Sequence, residues 1–266
     1  MITILDGGMG GEIQKRLAGA AKGLWSATAL VDSPELVVAL HQEYIEAGAR
    51  MIITNTYSTV PSYLAKGNLE AEFEHYTALG GELARKAVTQ SGEPVQVAGC
   101  LPPLSESYRP DLVPEAVIAK PIYAQLVRAL EPYVDLFLCE TMSSADEAYH
   151  AASQAKAEGN GKPVYVAWTL NEAAGTGLRS GETLLAAFER LADLDIDGYL
   201  LNCTTPEAAN AAITELKQLT DRPLGCYVNR IKEVPKGWTL DNEGPTIRRT
   251  DLTQDYFVEL SMQAID

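Results

Sequence analysis

Six short stretches of this chain place acidic, amide, hydroxyl or thiol side chains at the end of an apolar run. They are Asp6-Gly7-Gly8, Thr54-Asn55-Thr56-Tyr57, Cys100 with Leu101-Pro102-Pro103, Cys139-Glu140-Thr141-Met142, Asn202-Cys203-Thr204-Thr205 and Tyr227-Val228-Asn229-Arg230. Asp6 and Glu140 each close an apolar run, where a carboxylate is costly to bury without a partner. A ligand ammonium would satisfy both. A neighbouring Arg, Lys or backbone N–H would do so too, since structural ion pairs perturb acids as readily as function does. The glycines beside Asp6 permit a tight turn or let backbone N–H groups approach a ligand carboxylate, and the two readings are compatible. Cys203 precedes a helical pattern beginning at Pro206, so its sulfur could lie near a helix N-terminus, where a thiolate is favoured. The bland alternative, a small buried hydrophobe, is the commoner fate of a free cysteine. Cys100, Cys139 and Cys226 read as packing residues, and His41, His75 and His150 all fall in helical segments, none a persuasive base or metal ligand.

These stretches need elements to position them. Candidate strands are Ile2 to Leu5, Met51 to Thr54, Val95 to Gly99, Leu136 to Leu138, Val164 to Trp168, Gly198 to Leu201 and Leu224 to Val228. Several are continuously apolar, as strands buried on both faces are. Helical spacing is carried by Pro34 to Ala47, Leu69 to Gln90, Pro114 to Ala129, Ala145 to Ala157, Gly181 to Leu191, Pro206 to Gln218 and Thr253 to Ile265. Pro34, Pro114 and Pro206 suit first-turn positions, with Ser33 and Thr205 as candidate N-caps. Strict alternation of strand and helix predicts a parallel sheet with crossover helices.

The favoured architecture is an α/β (β/α)8 TIM barrel built as a single domain over residues 1–266. Seven units are legible, so the eighth strand and helix are expected to be missing from this chain. A doubly wound sheet would tolerate seven strands, but the first βα turn, Asp6-Gly-Gly-Met-Gly-Gly11, lacks the GxGxxG spacing of that fold. In a barrel, the chemistry sits at the C-terminal ends of the strands. The quoted stretches all fall there.

Composition narrows the classes. The 266 residues carry 21 Lys+Arg against 36 Asp+Glu, a formal charge of −15, and 46% are hydrophobic. Such a chain can build a large core, and it lacks the basic face that a nucleic-acid binder needs to displace counterions. The start has neither the basic region nor the apolar run of a signal peptide, and no stretch is long and apolar enough for a membrane span. A cytoplasmic protein without nucleic-acid or membrane partners is expected. The four cysteines lie far apart, which argues against a disulfide framework or a zinc ribbon.

Taken together, DGGMGGE (Asp6 to Glu12), ITNTY (Ile53 to Tyr57), VAGCLPPLSESYRPD (Val97 to Asp111), LCETM (Leu138 to Met142), LLNCTTPE (Leu200 to Glu207) and GCYVNR (Gly225 to Arg230) resemble the homocysteine S-methyltransferase family. The likeness runs through essentially the whole chain in order, and the SYRPD loop resembles a bacterial subgroup. The resemblance implies zinc-dependent transfer of a methyl group from S-methylmethionine or S-adenosylmethionine to the thiol of homocysteine, forming methionine. It assigns Glu140 to the acceptor amine, Asp6, Gly7 and Gly8 to first-loop contacts with the acceptor, and Cys203 to the first zinc ligand, with Asn202 and Asn229 as neighbouring polar groups. In the family two further zinc ligands come from a GGCCG motif after the last strand. That motif is absent from these residues, which leaves zinc binding in doubt and keeps open a second reading: a truncated, inactive member that retains amino-acid or partner binding.

Overall fold

The computed structural model describes residues 2–17, 24–235, 237–239 and 248–265. Of the long loop expected over Lys232 to Asp251, residues 236 and 240–247 lie outside the described residues. Six strands are present among them: β1 (Met51–Ile53), β2 (Gln96–Leu101), β3 (Leu136–Met142), β4 (Val164–Trp168), β5 (Gly198–Asn202) and β6 (Leu224–Tyr227). The helices are α1 (Met9–Arg16), α2 (Thr28–Asp32), α3 (Pro34–Glu46), α4 (Pro61–Leu64), α5 (Phe73–Ser91), α6 (Ala116–Leu130), α7 (Ala145–Glu158), α8 (Leu184–Glu189), α9 (Pro206–Leu219) and α10 (Gln254–Ile265). This is an α/β fold with parallel strands, as the alternation predicts.

The chain divides into two compact units. The first comprises Met1–Leu104, Glu115–Leu138 and Gln154–Pro163. In it β1, β2 and the start of β3 follow in chain order, with Met51 opposite Gln96 and Ile53 opposite Ala98. Met9, Ile13, Leu30, Val37, Leu40 and Leu83 form an apolar cluster among its helices. The second unit comprises Ser105–Pro114, Cys139–Ser153 and Val164–Asp266. It carries the end of β3, then β4, β5 and β6, with Trp168 opposite Leu201 and Asn202 opposite Tyr227. Trp168 stacks on Tyr199 at 5.6 Å between ring centroids, and Phe188 of α8 covers Tyr199 at 5.0 Å.

Three differences from the sequence reading have physical reasons. The strand expected over Ile2 to Leu5 is a single bridge between Leu5 and Met51, and Ile2 and Ile4 are exposed. The Ile4 carbonyl accepts from the Arg50 and Met51 N–H groups and the Asp6 N–H donates to Met51, so the segment is tied along one side only. The glycine-rich stretch after it is not all loop: Met9 to Arg16 is helical, because Met9 and Ile13 share a buried face that outweighs the poor propensity of Gly10 and Gly11. Finally β3 runs four residues and β5 one residue beyond the expected ends, so Glu140, Thr141 and Asn202 lie within strands rather than in the loops after them.

Helix starts follow their capping chemistry. Thr205 caps α9, its hydroxyl accepting from the Ala208 N–H, with Pro206 in the first turn. Ser33 precedes Pro34 but makes no side-chain cap bond, and α6 begins at Ala116 rather than at Pro114. At α7, Ser144 accepts from the Glu147 N–H while Glu147 accepts from both the N–H and the hydroxyl of Ser143, a near-relative of the capping box.

One device recurs at strand entry. Asp135, just before β3, donates its N–H to the Val97 carbonyl and accepts the Val97 N–H on its carboxylate at 2.7 Å. Asp197, just before β5, does the same with Val164, at 2.9 and 2.8 Å. Each carboxylate supplies an acceptor to an N–H at the start of the neighbouring strand.

Replacing Asp197 by Ala leaves the N–H of buried Val164 unsatisfied, and is expected to cost about 1–3 kcal/mol. Urea unfolding checks this: the midpoint falls with the slope unchanged, and Asp197→Asn, which keeps an acceptor, recovers most of the loss. Glu147 gives a pH signature. Burial raises its pKa to about 7, against the opposing bonds from Ser143. The native state then holds a proton that the unfolded chain releases near pH 4.5, so stability falls as pH rises from 4.5 to 7, by about 3 kcal/mol in all. The difference in unfolding free energy between wild type and Glu147→Gln should carry this slope; a difference flat across that window refutes it.

Candidate functional site

In the second unit, the ends of three strands converge. Glu140 and Thr141 lie just before Met142 at the end of β3, Asn202 ends β5 with Cys203 next, and Tyr227 ends β6. The buried Asn202 amide uses both ends on one residue: its Oδ1 accepts from the Thr141 N–H at 2.9 Å and its Nδ2 donates to Thr141 Oγ1 at 2.7 Å. The same Nδ2 lies 3.5 Å from Cys203 Sγ, and Thr141 Oγ1 lies 3.9 Å from it. The Tyr227 hydroxyl donates to Glu140 Oε2 at 2.9 Å.

These bonds require curvature in that part of the sheet. In a flat sheet β3 and β5 would stand roughly 10 Å apart, and β3 and β6 roughly 14 Å. Side chains that skip one strand and two strands and still meet at hydrogen-bond distance mean that β3 to β6 curl toward the face bearing Asn202 and Glu140.

Backbone strain marks the same place. Thr141, Cys203 and Tyr108 are non-glycine residues in the left-handed region, at φ 62°, 51° and 63°. For a β-branched residue such as Thr141 this is a costly conformation, held because Asn202 bonds both its N–H and its hydroxyl. A layer of loop residues supports Cys203. The Thr169 hydroxyl donates to the Cys203 carbonyl at 3.2 Å, Arg179 Nε donates to Thr169 Oγ1 at 3.2 Å, and Arg179 Nη1 pairs with Glu172 at 2.8 Å. The Arg179 guanidinium sits over the Tyr108 ring at 4.7 Å, and Tyr108 meets Trp238 edge-on at 6.0 Å.

The electrostatics correct one expectation. Cys203 lies just before α9, yet its thiol is pushed above its ordinary range. Burial is the main cause and the charge of Glu140 adds to it; hydrogen bonds from Tyr108 and Thr141 and the charge of Arg179 oppose the shift without reversing it. Burial also pushes the Cys139 and Cys226 thiols up, in keeping with their reading as packing residues. Cys100 and Cys139 are buried. His41 is fully buried on α3 with neither ring nitrogen hydrogen-bonded, and desolvation holds its pKa down at about 3, so it stays neutral.

Glu140, Asn202 and Cys203 are therefore brought together. Asn229 is near them in the chain after β6, but its side-chain oxygen accepts from the Ile231 N–H at 3.0 Å and shapes the following turn. Asp6, Gly7 and Gly8 belong to the first unit. There Asp6 Oδ2 accepts from the Ile53 N–H at 2.9 Å, the backbone pairing that was the plain alternative to a ligand. A Cβ on Gly7 would stand 2.7 Å from the Tyr44 ring, so close approach requires glycine there, whereas a Cβ on Gly8 would meet open space. Tyr108 entered the sequence reading only as part of the SYRPD motif, without a role, and Thr169, Glu172 and Arg179 had no place in it. Thr169 and Glu172 follow the apolar run Val164 to Trp168 and carry the same signal as the other strand ends.

Among the described residues no three His, Cys, Asp or Glu side chains are grouped to hold a metal ion. Cys203 is the one cysteine at this cluster; Cys226 stands opposite Leu201 in the β5–β6 register, one residue short of it. A zinc site that requires three thiolates does not fit these residues. No helix among the described residues is long and apolar enough to cross a membrane.

Comparison with known proteins places the whole arrangement. The sequence profile of homocysteine S-methyltransferase matches residues 3–264. The homocysteine S-methyltransferase of Escherichia coli K12 is 32% identical over 247 residues, covering 86% of this chain and 77% of its own. A selenocysteine methyltransferase of Astragalus bisulcatus is 26% identical over 259 residues, covering 85% and 75%. The crystal structure of the E. coli homocysteine methyltransferase MmuM in its metallated form superposes with a TM-score of 0.77 at 30% identity, over 86% of this chain and 83% of that one. Curled strands, a strand-end cluster built on NC and CET, and likeness along nearly the full length agree: the chain belongs to the homocysteine S-methyltransferase family.

Proposed function

We propose that this enzyme transfers a methyl group from a sulfonium donor, S-methylmethionine or S-adenosylmethionine, to the sulfur of homocysteine, as a single barrel domain of (β/α)8 type. The observation that carries the reading is the cluster of Glu140, Asn202 and Cys203 at the ends of β3 and β5, in a chain whose relatives carry that activity by name. In the reaction the acceptor thiol gives up its proton to solvent, a bond forms between its sulfur and the methyl carbon, and the donor's sulfonium–methyl bond breaks. The electron pair stays on the donor, which leaves as a neutral thioether, so no proton needs to reach it.

The residues' parts follow from their chemistry. Glu140 takes the acceptor ammonium, and the Tyr227 hydroxyl orients the carboxylate by occupying one of its oxygens. Asn202 is a positioning residue, fixing Thr141 and through it the end of β3. Asp6, Gly7 and Gly8 are assigned to the acceptor, and Asn229 to the margin of the site, by resemblance. Zinc belongs to the same reading through Cys203. The described residues supply one of the three thiolates, so what they can be assigned is binding and orientation.

Methyl transfer from S-methylmethionine to homocysteine, followed as methionine formed, tests the reading; absence of turnover with zinc supplied overturns it. Loss of one charge-assisted contact costs about 1.5–3 kcal/mol, so Glu140→Gln should raise the homocysteine KM about 10- to 100-fold and leave the donor KM unchanged. A fall in kcat with an unaltered homocysteine KM would remove Glu140 from the amine site.

A further inference from the structure

Beside α9 the second unit opens into a cleft of about 710 Å³, lined by Glu172, Glu207 and Asp251 on one side of the charge balance and Lys232, Arg248 and Arg249 on the other. The acids are each matched. Glu172 pairs with Arg179 at 2.8 Å, Glu207 receives both Arg249 amino groups at 2.6 and 2.8 Å, and Asp251 receives Arg249 at 2.6 Å. Arg248 forms no ion pair among the described residues, and Lys232 meets the acids only through its charge on Asp251, which Arg249 already holds. Their segments are held together by the antiparallel bridge of Ile231 with Arg248 and by the Arg249 N–H donating to the Arg230 carbonyl at 2.8 Å. In a chain with 36 acids to 21 basic residues, a cleft in which, among the described residues, Arg248 has no ion pair and Lys232 shares an Asp251 already tied to Arg249 runs against the overall charge. Arg248 and Lys232 are placed for an anionic ligand.

The cleft adjoins the strand-end cluster. Thr205, which lines it, follows Cys203 by two residues, a span of at most about 7 Å. The Thr205 hydroxyl donates to the Glu172 carbonyl at 2.9 Å, and the Arg179 that pairs with Glu172 also reaches Thr169, whose hydroxyl holds the Cys203 carbonyl. A sulfonium amino acid of the methionine type carries its carboxylate carbon about 5 Å from its sulfur, by ordinary bond lengths. A carboxylate held at the Thr205 edge of the cleft therefore leaves the sulfonium within reach of the cluster.

We propose that Arg248 and Lys232 bind the α-carboxylate of the sulfonium methyl donor in this cleft. The inference rests on the methyl-transfer reading above. It gives the donor a site separate from the acceptor amine at Glu140. Arg249, tied on both sides to Glu207 and Asp251, is the rigid floor that sets where Arg248 stands.

Equilibrium dialysis with S-methylmethionine, on the wild-type chain and on Arg248→Gln, Lys232→Gln and the double variant, reads the site without turnover. Both side chains are exposed, so the variants should keep the wild-type urea midpoint. Loss of one charged contact predicts donor affinity about tenfold weaker in each single variant, and weaker still in the double. In steady state the donor KM should rise by the same factor while the homocysteine KM stays put, and a dimethyl-propyl sulfonium lacking the carboxylate should not distinguish the variants from wild type. If the homocysteine KM rises instead, the carboxylate in the cleft is the acceptor's and the proposal falls. Unchanged donor affinity in the double variant, with wild-type turnover present, overturns the proposal and leaves the methyl-transfer reading standing. Absence of both turnover and S-methylmethionine binding in the wild type overturns both.

Discussion

The side chain of Asn202 is the constraint on which the strand-end cluster depends. It is fully buried, so both its carbonyl and its amino group must find partners, and Thr141 supplies one to each. Those partners lie one strand away across β4, so satisfying the amide obliges this part of the sheet to curl and stations β3 and β5 at a fixed distance. The left-handed conformation of Thr141 follows from the same bonds: the amide holds the N–H and the hydroxyl in an orientation that the residue would not adopt alone. Cys203 and Glu140, the immediate chain neighbours of Asn202 and Thr141, inherit their places from this pair. An apolar residue at 202 would be easier to bury, but would release both strand ends.

Much of this was legible in the residue pattern. Every expected strand from Met51 onward is found within a few residues of its expected bounds, because an apolar run of β-formers bounded by turn residues is a strong local signal. The capping of α9 by Thr205 with Pro206 behind it was equally local. The Ile2 to Leu5 segment shows the limit: its composition is that of a strand, but strand identity depends on neighbours, and among the described residues Leu5 alone bridges, to Met51. The helix from Met9 fails in the other direction, since two glycines hide an apolar spacing that tertiary burial makes decisive.

What the pattern did not disclose is long-range. Nothing in the sequence links Tyr227 with Glu140, 87 positions apart, or Asn202 with Thr141, 61 apart. The protonation of Cys203 is of the same kind. A position before a helix predicts a stabilised thiolate, but burial and the Glu140 carboxylate on a strand two places away outweigh it. Residue type and spacing located the chemistry at the strand ends; only the curl of the sheet decides which ends meet.

The long loops that consume so much of the chain have a use once their partners are known. Ser105–Pro114 follows directly on the first unit's strand β2 and clusters with the second unit instead. It brings Tyr108 beneath the Arg179 guanidinium and against Trp238, and Arg109 donates to the Trp238 carbonyl at 3.4 Å. Arg248 and Arg249 stand at the cleft, where Arg248 bridges to Ile231. Arg179 joins the two systems, stacking on Tyr108 while its charge neutralises Glu172 and its Nε steadies the hydroxyl that holds Cys203. A lysine could supply that charge but not the flat face and the divergent donors together, so Arg179 performs three contacts that no other cation at this position would combine.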